Sequence, residues 1–489
     1  MPEARVQTPL LGLPNMVLDR RSGTHRWLDG ARATSMFDRL TGMGATYVEV
    51  RAMSCDSTSI SVRDGAMESA VPAQDVGVTL RVLADGAWGT HSTTDIESVY
   101  AQGEATLKLA RAVAGRRSSS TDGVSLAEVP VVQDEVHWTP RGDVRNLDLE
   151  ERLDAMSAVE QEASGHEHIA SVATGWVDEH LQTEVLTSEG MDRLWTLQRA
   201  LLHCTVTARE GDRVASYRTR HGGEGGADHI LQADLGALGR EGQAAALRQL
   251  GAEAAPSGRF TLVADPDLTG VYVHEALGHP CEADLVAAGD SCLDGRLGQN
   301  IGSDIVTVID DPTIRGGYGA YPVDDEGVDA REKMLVREGV LTEYLNHRET
   351  AAKFGLEPNA GARAQDGLHH PLVRMSNTII QGGTHRDLDA LFEDVEHGVL
   401  ACGTRGGQVD TGRGSFQFAA QEAWLIEGGE LVRPLRDVSV SGLTLEILNN
   451  VDGLAKDGGL ASPGFCGKGQ TVPVGDGGPY MRIRSALVG

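Results

Sequence analysis

The chain has 489 residues, which is enough for two to four domains at roughly 100 to 200 residues each. Apolar residues make up 40% and charged residues 23%, a balance typical of folded rather than disordered proteins. The 43 basic and 71 acidic side chains leave a net charge of −28, which repels phosphate backbones and anionic membrane surfaces, so nucleic acid and membranes are disfavoured as partners.

The chain is expected to be soluble and cytoplasmic. No run approaches the roughly 18 apolar residues that span a bilayer, and the first residues lack the pattern of a signal peptide. The six cysteines are scattered without a CxxC pair, unlike those of a secreted domain held by disulfides.

Residues 1–30 carry scattered arginines without periodicity and are predicted to form an N-terminal extension. Beyond them, short β-prone runs alternate with the pairs Asp64-Gly65 and Asp85-Gly86, which favour tight hairpin turns. These runs predict an antiparallel meander. They are Thr46–Arg51, Ser57–Arg63, Ala66–Ala70 and Val76–Leu83.

Helical and β-prone segments then follow one another. Apolar residues recur at three- and four-residue steps over 96–113 and over 149–159, and each stripe predicts one amphipathic helix. Residues 221–229 are too rich in glycine for a regular element, and a long helix is predicted over about 229–253. The β-prone segments between them are 169–176, 181–187 and 193–209.

The fold class is predicted to be α+β, because strands and helices are segregated along the chain. Residues 31–255 are predicted to form an N-terminal domain, an antiparallel sheet with helices. Residues 256–489 form a largely β C-terminal domain, indicated by hairpin turns at 337–339 and 427–430.

One helix in the C-terminal domain carries the chemistry. Residues 259–264 are typical of a buried strand, Asp265 of a helix N-cap and Pro266 of a first-turn residue. A helix is therefore predicted over about 266–278.

The end of this helix reads His274-Glu275-Ala-Leu-Gly-His279, the pattern HExxxH. Two imidazoles beside a carboxylate suit a zinc hydrolase, because neutral nitrogens bind the metal and the carboxylate acts as a base. On a regular α-helix, residues five apart lie about 140° apart around the axis. We therefore expect either a wider π-type turn or the end of the helix before Pro280, which disfavours α geometry in the preceding residue.

Other assignments of these residues stay open. HExxxH can occur by coincidence on an ordinary helix, with His274 and His279 at the surface. Cys281 and Glu282 are near enough in sequence to reach a metal, but Pro280 restrains their backbone, and Glu282 suits a role in orienting a histidine.

Three more polar clusters look like metal sites in isolation. We predict that they are ordinary solvated turns, where polar residues are common. The clusters are His166-Glu167-His168, His369-His370 and Asp324-Asp325-Glu326.

With HEALGHPCEAD at residues 274–284, the chain resembles the TldD/PmbA family of metallopeptidases, in particular the TldD-like branch that carries HExxxH. The resemblance covers nearly the whole chain beyond its first forty or so residues. Its other segments are Val62–Glu68, Gly77–Val82, Asp324–Gly327, Arg374–Thr378, Gly406–Gly412 and Phe465–Val474.

The resemblance implies that the third metal ligand is the cysteine of a Cys-Gly-Lys segment, which falls on Cys466. A thiolate with two neutral histidines leaves Zn²⁺ with a net charge near +1 and an open position for water. Without the resemblance, Cys466 would be assigned as a small buried apolar residue.

We therefore expect a zinc-dependent hydrolase of peptide or other amide bonds. His274, His279 and Cys466 would hold Zn²⁺, and Glu275 would take the proton of the attacking water. The resemblance implies unfolded or short peptides as substrates, with leader-peptide removal and natural-product processing among the roles, and leaves a small non-peptide amide open.

Three residues of a segment that matches the family are candidate substrate-binding groups, although they can equally be structural. They are Arg363, Arg374 and Asn377.

The resemblance also implies a dimer that encloses the active site. The second subunit would be a PmbA-like (TldE) chain without the metal motif, or a second copy in a homodimer. A function of a different class is a non-catalytic subunit that binds peptides or acts as a scaffold. Such a subunit has no reason to keep two histidines, an adjacent glutamate and Cys466 together, and all four are present.

Overall fold

The structure is a computed structural model that describes residues 17–18, 25–116 and 123–489. Most of the predicted N-terminal extension, namely residues 1–16 and 19–24, lies outside the described residues. The fold is α+β, as predicted. In the part of the chain that the structure describes, no helix is long and apolar enough to cross a membrane.

The N-terminal half is built on a large sheet with the strand order β5-β4-β3-β7-β8, extended at β8 by both β6 and β9. Neighbouring strands are antiparallel except β6, which runs parallel to β8. A short pair, β1 with β2, precedes it. The strands are β1 Val17–Leu18, β2 His25–Arg26, β3 Tyr47–Arg63, β4 Ala66–Ala84, β5 Ala87–Thr93, β6 Gln133–His137, β7 Ile169–Thr187, β8 Asp192–Glu210 and β9 Arg213–Glu224.

The predicted hairpins at Asp64-Gly65 and Asp85-Gly86 are confirmed. Asp64 and Asp85 both have a φ of 51°, and the strands pair directly across each turn. The short β-prone runs fuse into strands of up to 19 residues, because the sheet continues through the exposed polar stretches between them. The prediction of an irregular segment over 221–229 is wrong, since β9 runs to Glu224 and a helix starts at Asp228.

Helices cover this sheet in two groups with separate apolar cores. The stripe over 149–159 is confirmed as a helix. The apolar stripe over 96–113 forms a 3₁₀ turn followed by a helix instead of one helix. The single helix predicted over about 229–253 is two helices, and Asp234 is the N-cap of the second. The helices are α1 Gly30–Gly42, α2 Gly103–Ala114, α3 Leu149–Ala163, α4 Asp228–Leu231 and α5 Leu235–Leu250, with 3₁₀ turns at Ile96–Ala101 and Val144–Asn146.

The C-terminal half contains two larger sheets. The first has the order β10-β22-β21-β18-β11-β27-β23-β20-β19, with β24 also paired to β27. Its strands are β10 Glu253–Ala254, β11 Gly258–Ala264, β18 His397–Cys402, β19 Gly407–Asp410, β20 Ser415–Ala419, β21 Glu422–Glu427, β22 Glu430–Arg436, β23 Ser439–Leu443, β24 Val451–Leu454 and β27 Met481–Val488.

The second sheet has the order β14-β13-β12-β17-β26-β25, and β15 pairs with β16 beside it. The strands are β12 Val308–Asp310, β13 Lys333–Arg337, β14 Val340–Leu341, β15 Ala362–Arg363, β16 Leu372–Val373, β17 Asn377–Ile380, β25 Gly459–Gly467 and β26 Thr471–Gly478. The helices of this half are α6 Pro266–Val271, α7 Ala283–Ala288, α8 Arg348–Phe354, α9 Leu388–Phe392 and α10 Thr444–Asn450.

The helix that begins at α6 lies between the two C-terminal sheets. Tyr272 packs edge-on against Phe416 of the first sheet, with ring centroids 5.3 Å apart. On the other side, a Cβ at Gly270 would lie 2.4 Å from the Asp476 carboxylate in β26, and one at Gly278 would lie 2.1 Å from the Met375 sulfur. Gly270 therefore allows β26 to approach the helix closely, and Gly278 leaves room for Met375, which lies between β16 and β17.

The acidic turn Asp324-Asp325-Glu326 is buried, so the prediction of a solvated turn is wrong. The exposed fraction is 2% for Asp324 and 1% for Glu326. Arginines of the N-terminal sheet cover these acids. Arg81 lies 3.1 Å from Glu326, and Arg51 lies 3.5 Å from Asp325. The pairing joins the two halves of the chain, although the division at residue 255 stays a prediction.

Candidate metal centre

Three side chains that are far apart in the sequence meet at the end of the HExxxH helix. The donor atoms of His274, His279 and Cys466 all lie within 4.8 Å of one another, and all three residues are buried. The Cys466 sulfur is 3.2 Å from His279 Nε2. The two imidazole rings stand nearly perpendicular, at 84°, with their centroids 5.4 Å apart. These three residues are called the donor cluster below.

The helix reaches this geometry through a π-helical segment. Asp265 caps α6 by accepting a hydrogen bond from Leu268 N–H at 2.8 Å, and π geometry then extends over Tyr272–Gly278. The N–H of His279 donates to the carbonyl of His274, and this i to i+5 spacing brings the two histidines onto one face. Of the two alternatives expected from the five-residue spacing, the π-type turn is the one observed. The helix then tightens into a 3₁₀ turn at His279–Cys281.

Cys466 comes from the hairpin of β25 and β26, where it pairs with Val472. The guanidinium of Arg374 donates to the carbonyl of Cys466 and to that of Gln470, each at 2.6 Å. Arg374 therefore ties the end of β25 to the turn that leads into β26.

Glu282 holds His279 from the side remote from Cys466. Its carboxylate lies 2.7 Å from His279 Nδ1 and 3.2 Å from the Lys468 ammonium. Arg374 approaches the same carboxylate at 3.8 Å. Burial would raise the pKa of Glu282, but the His279 charge and the two cations lower it. An ionised carboxylate at this nitrogen fixes the ring and leaves Nε2 facing the sulfur.

The cluster favours a thiolate. Burial alone would raise the pKa of Cys466, but the charges and hydrogen bonds of the two imidazoles lower it to about 4. Burial opposes charge on His274, yet the Cys466 thiolate outweighs that effect and raises its pKa to about 9. The same sulfur and the Glu282 carboxylate raise the pKa of His279. The anionic donor of the cluster is therefore already stabilised by the protein.

Glu275 lies beside the cluster and is reached by solvent. Its side chain is 35% exposed, and its carboxylate is 3.6 Å from His279 Nε2. A carboxylate in this position can exchange a proton with a water molecule next to the three donors.

The donor set fits a zinc ion. Two imidazole nitrogens and one thiolate are ligands that Zn²⁺ prefers, and three protein ligands leave a position open, as in catalytic zinc sites. Among the residues that the structure describes, His274, His279 and Cys466 form the one group of histidine, cysteine and acidic side chains close enough together to hold a metal ion. Cys281 is fully buried and is not part of that group.

The candidate substrate-binding residues are all buried. Asn377 bonds two backbone groups, donating to Asp311 C=O at 2.9 Å and accepting from Gly319 N–H at 3.0 Å. Arg374 holds the Cys466 hairpin, as described above, and Arg363 donates to Met375 C=O at 2.6 Å. Of the three, Arg363 lines a cavity.

Two titratable residues near the cluster, Lys468 and Asp476, were not predicted as site residues from the sequence. Lys468 stands in the Cys-Gly-Lys segment, and that segment was the available signal for it. Asp476 lies on β26 against Gly270, one turn before His274. Burial raises the pKa of Asp476 to about 7, against the effect of the His274 charge. No pattern in the sequence distinguished this aspartate from other acids near glycine.

An α+β chain with a buried His, His, Cys cluster and an adjacent glutamate has the make-up of a metallohydrolase. Family models described as PmbA/TldA metallopeptidase match the chain over three domains: domain 1 at residues 48–114, the central domain at 142–255 and the C-terminal domain at 257–489.

A Methanothermobacter thermautotrophicus protein named metalloprotease is 42% identical over 444 residues, which cover 91% of this chain and 95% of that protein. A Saccharolobus solfataricus protein named zinc metalloprotease TldD homolog is 28% identical over 451 residues, covering 91% and 97%. The chain belongs to the PmbA/TldD metallopeptidase family.

Solved structures show the same fold. The crystal structure of TldE from Thermococcus kodakarensis has a TM-score of 0.72 at 16% identity, covering 94% of this chain and 99% of that one. A Thermotoga maritima protein gives a TM-score of 0.76 at 19% identity, covering 94% and 99%.

Proposed function

We propose that this chain is a zinc-dependent peptidase that hydrolyses amide bonds. The observation that carries the proposal is the donor cluster itself. Three donors of the kinds that zinc prefers lie within 4.8 Å of one another, and a solvent-reached carboxylate lies 3.6 Å from one of them. The names of the similar proteins, metalloprotease and zinc metalloprotease, support the same conclusion.

In this proposal His274, His279 and Cys466 hold the metal. Bound zinc would supply a Lewis acid for the amide carbonyl and would make a nearby water more acidic. Glu275 takes a proton from the attacking water and then delivers it to the leaving amine. Glu282 keeps His279 oriented, with Lys468 and Arg374 balancing its charge, and Arg374 also fixes the backbone of Cys466.

The substrate class is proposed from the family resemblance. We infer short or unfolded peptides, including leader peptides and precursors of peptide natural products, with small non-peptide amides as the less favoured class. The burial of the donor cluster supports an extended chain over a folded protein, because a folded surface cannot reach buried donors.

The assembly is proposed as a dimer with a PmbA/TldE-like partner, or as a homodimer. The likeness in fold to a protein named TldE supports a partner of the same shape. Light scattering on the purified chain alone distinguishes a homodimer from a chain that needs a different partner. A homodimer has twice the mass of the 51.9 kDa chain without any other protein present.

The test of the catalytic proposal is Glu275→Gln, which keeps the shape of the side chain but removes its ability to take a proton. Turnover of a defined peptide mixture, followed by mass spectrometry, should fall by about 10² to 10⁴-fold while zinc content stays unchanged. Glu446→Gln is a matched control, because Glu446 is an exposed acid that pairs with Arg259 and is not among the donor residues. Wild-type turnover by Glu275→Gln at full zinc content would contradict the proposal.

A further inference from the structure

A cavity of about 420 Å³ lies between the N-terminal sheet and the C-terminal half. Its volume is that of a site for a small organic ligand. The N-terminal sheet contributes an apolar patch of Met53, Leu181 and Trp195 beside polar side chains of the same sheet. Tyr321 and Arg363 face this patch from the C-terminal half. None of the donor-cluster residues and neither Glu275 nor Glu282 lines it.

Arg363 is a buried cation of this cavity without a carboxylate partner. It is 6% exposed, and its guanidinium lies 4.9 Å from the centre of the Tyr321 ring. Among the described residues, its hydrogen bond is the one to Met375 C=O, and no carboxylate oxygen lies within 4 Å of it. Arg199, the other arginine of the cavity, differs because Glu179 pairs with it at 2.7 Å. Burial lowers the pKa of Arg363 to about 10, so it stays charged at neutral pH.

The acidic side chains that line the cavity have other partners. Asp324 accepts backbone N–H groups with both oxygens, and Asp325 accepts Ala364 N–H at 2.7 Å while its other oxygen faces Arg51. Burial raises the pKa of both carboxyls, and at Asp325 the charges of Arg51 and Arg363 act against that rise. Asp366 forms hydrogen bonds within its own loop, to Leu368 N–H and to the imidazole of His369. The remaining acid, Asp75, is exposed.

A second polar group in the cavity has no hydrogen-bond partner among the described residues. Thr183 is fully buried and lines the cavity from the N-terminal sheet. Its hydroxyl has no hydrogen-bond partner within the described part of the chain. A buried hydroxyl without a hydrogen bond and a buried guanidinium without a carboxylate within ion-pair distance are both costly, and a bound anion with acceptor oxygens would satisfy such groups.

We propose that this cavity binds a small carboxylate with an apolar body, and that Arg363 pairs with the carboxylate. The planar fork of a guanidinium matches the two oxygens of a carboxylate, and the apolar patch of Met53, Leu181 and Trp195 accepts an aliphatic side chain. The C-terminal residue of a peptide and a free branched-chain acid both have this chemistry. The proposal does not depend on peptidase activity, because the site lies apart from the donor cluster.

Calorimetry on the full chain with matched ligands tests the proposal. N-acetyl-leucine represents a peptide C-terminus, and N-acetyl-leucinamide differs from it only in replacing the carboxylate by an amide. We expect the acid to bind at least about tenfold more tightly than the amide, since a charge-assisted pair is lost. 4-Methylpentanoate lacks the amide group and represents a free branched-chain acid. Tighter binding of 4-methylpentanoate than of N-acetyl-leucine would indicate a free acid as the ligand, and the reverse order would indicate a peptide C-terminus. The acid's advantage should persist after a chelator removes metal, which separates this cavity from the donor cluster.

Variants locate the carboxylate. Arg363→Gln should abolish the advantage of acid over amide, and Arg363→Lys should keep part of it because the charge remains. Arg152→Gln is the matched control, since Arg152 is also 6% exposed but pairs with Asp178 outside the cavity. Equal binding of acid and amide, no binding of either, or an advantage that Arg363→Gln leaves intact would overturn the proposal. If Arg363→Gln does not fold, the acid and amide comparison on the unchanged chain decides.

Discussion

The two histidines of the donor cluster are held in different ways. On the His279 side, Glu282 contacts Nδ1 at 2.7 Å and is itself tied to Lys468. On the His274 side, Nδ1 is buried and has no hydrogen-bond partner within the described residues. Asp476 lies nearby, and one of its oxygens also lacks a partner. Charge therefore orients one ring, whereas the π-helical backbone and packing orient the other.

The largest effect is expected for Cys466→Ala, because Cys466 is the anionic donor that both histidines share. Zinc affinity should fall by far more than the roughly 10 to 100-fold that follows loss of an orienting residue. The fold should survive, since each half of the chain has its own large apolar core. Competition with a chromophoric chelator measures the affinity, and circular dichroism checks the fold.

Two other cysteines serve as controls for this variant. Cys281→Ala changes the thiol at the end of the HExxxH helix, and Cys402→Ala changes a C-terminal thiol on β18. Both variants should keep wild-type affinity. Loss of zinc from Cys281→Ala but not from Cys466→Ala would show that the ligand set is wrong.

A smaller effect is expected for Glu282→Gln, which removes the charge that orients His279. Zinc affinity should fall by about 10 to 100-fold, because the amide still accepts a hydrogen bond but no longer balances Lys468 and Arg374. Asp284→Asn is the matched control, since Asp284 also bonds Lys468, at 2.8 Å, without contacting a histidine. Equal losses in the two variants would mean that Lys468, and not the contact with His279, is what matters.

The smallest effect is expected for Asp476→Asn. Because no hydrogen bond joins Asp476 to His274, zinc affinity should change by less than about tenfold, below the range typical of an orienting residue. The same chelator competition measures it. A loss as large as that of Glu282→Gln would remove the distinction between the two histidines, and would make Asp476 the counterpart of Glu282.

The sequence predicted those parts of the molecule that depend on neighbouring residues. The Asp-Gly hairpins, the cap at Asp265 and the π-type turn between His274 and His279 follow from local chemistry and spacing. Breaks between helices were harder to predict, because the apolar stripe over 96–113 continues through the point where the 3₁₀ turn ends.

Features that depend on distant residues could not be predicted from local patterns. Glu326 is buried because Arg81, 245 residues away in the sequence, pairs with it. Likewise Cys466 meets His279 across 187 residues, and its place in the proposed ligand set was predicted from the family resemblance alone. Arg374, a candidate for substrate binding on the same resemblance, is fully buried and holds the Cys466 hairpin.

The most direct test of the proposed metal centre is X-ray absorption at the zinc edge, on chain purified without added metal and first assayed for zinc by elemental analysis. We predict one zinc per chain, with one sulfur donor at about 2.3 Å and nitrogen donors at about 2.0 to 2.1 Å. The sulfur signal should be absent in Cys466→Ala reconstituted with zinc and present in Cys281→Ala. A fully active chain without zinc, or a zinc shell that contains no sulfur, would contradict the account.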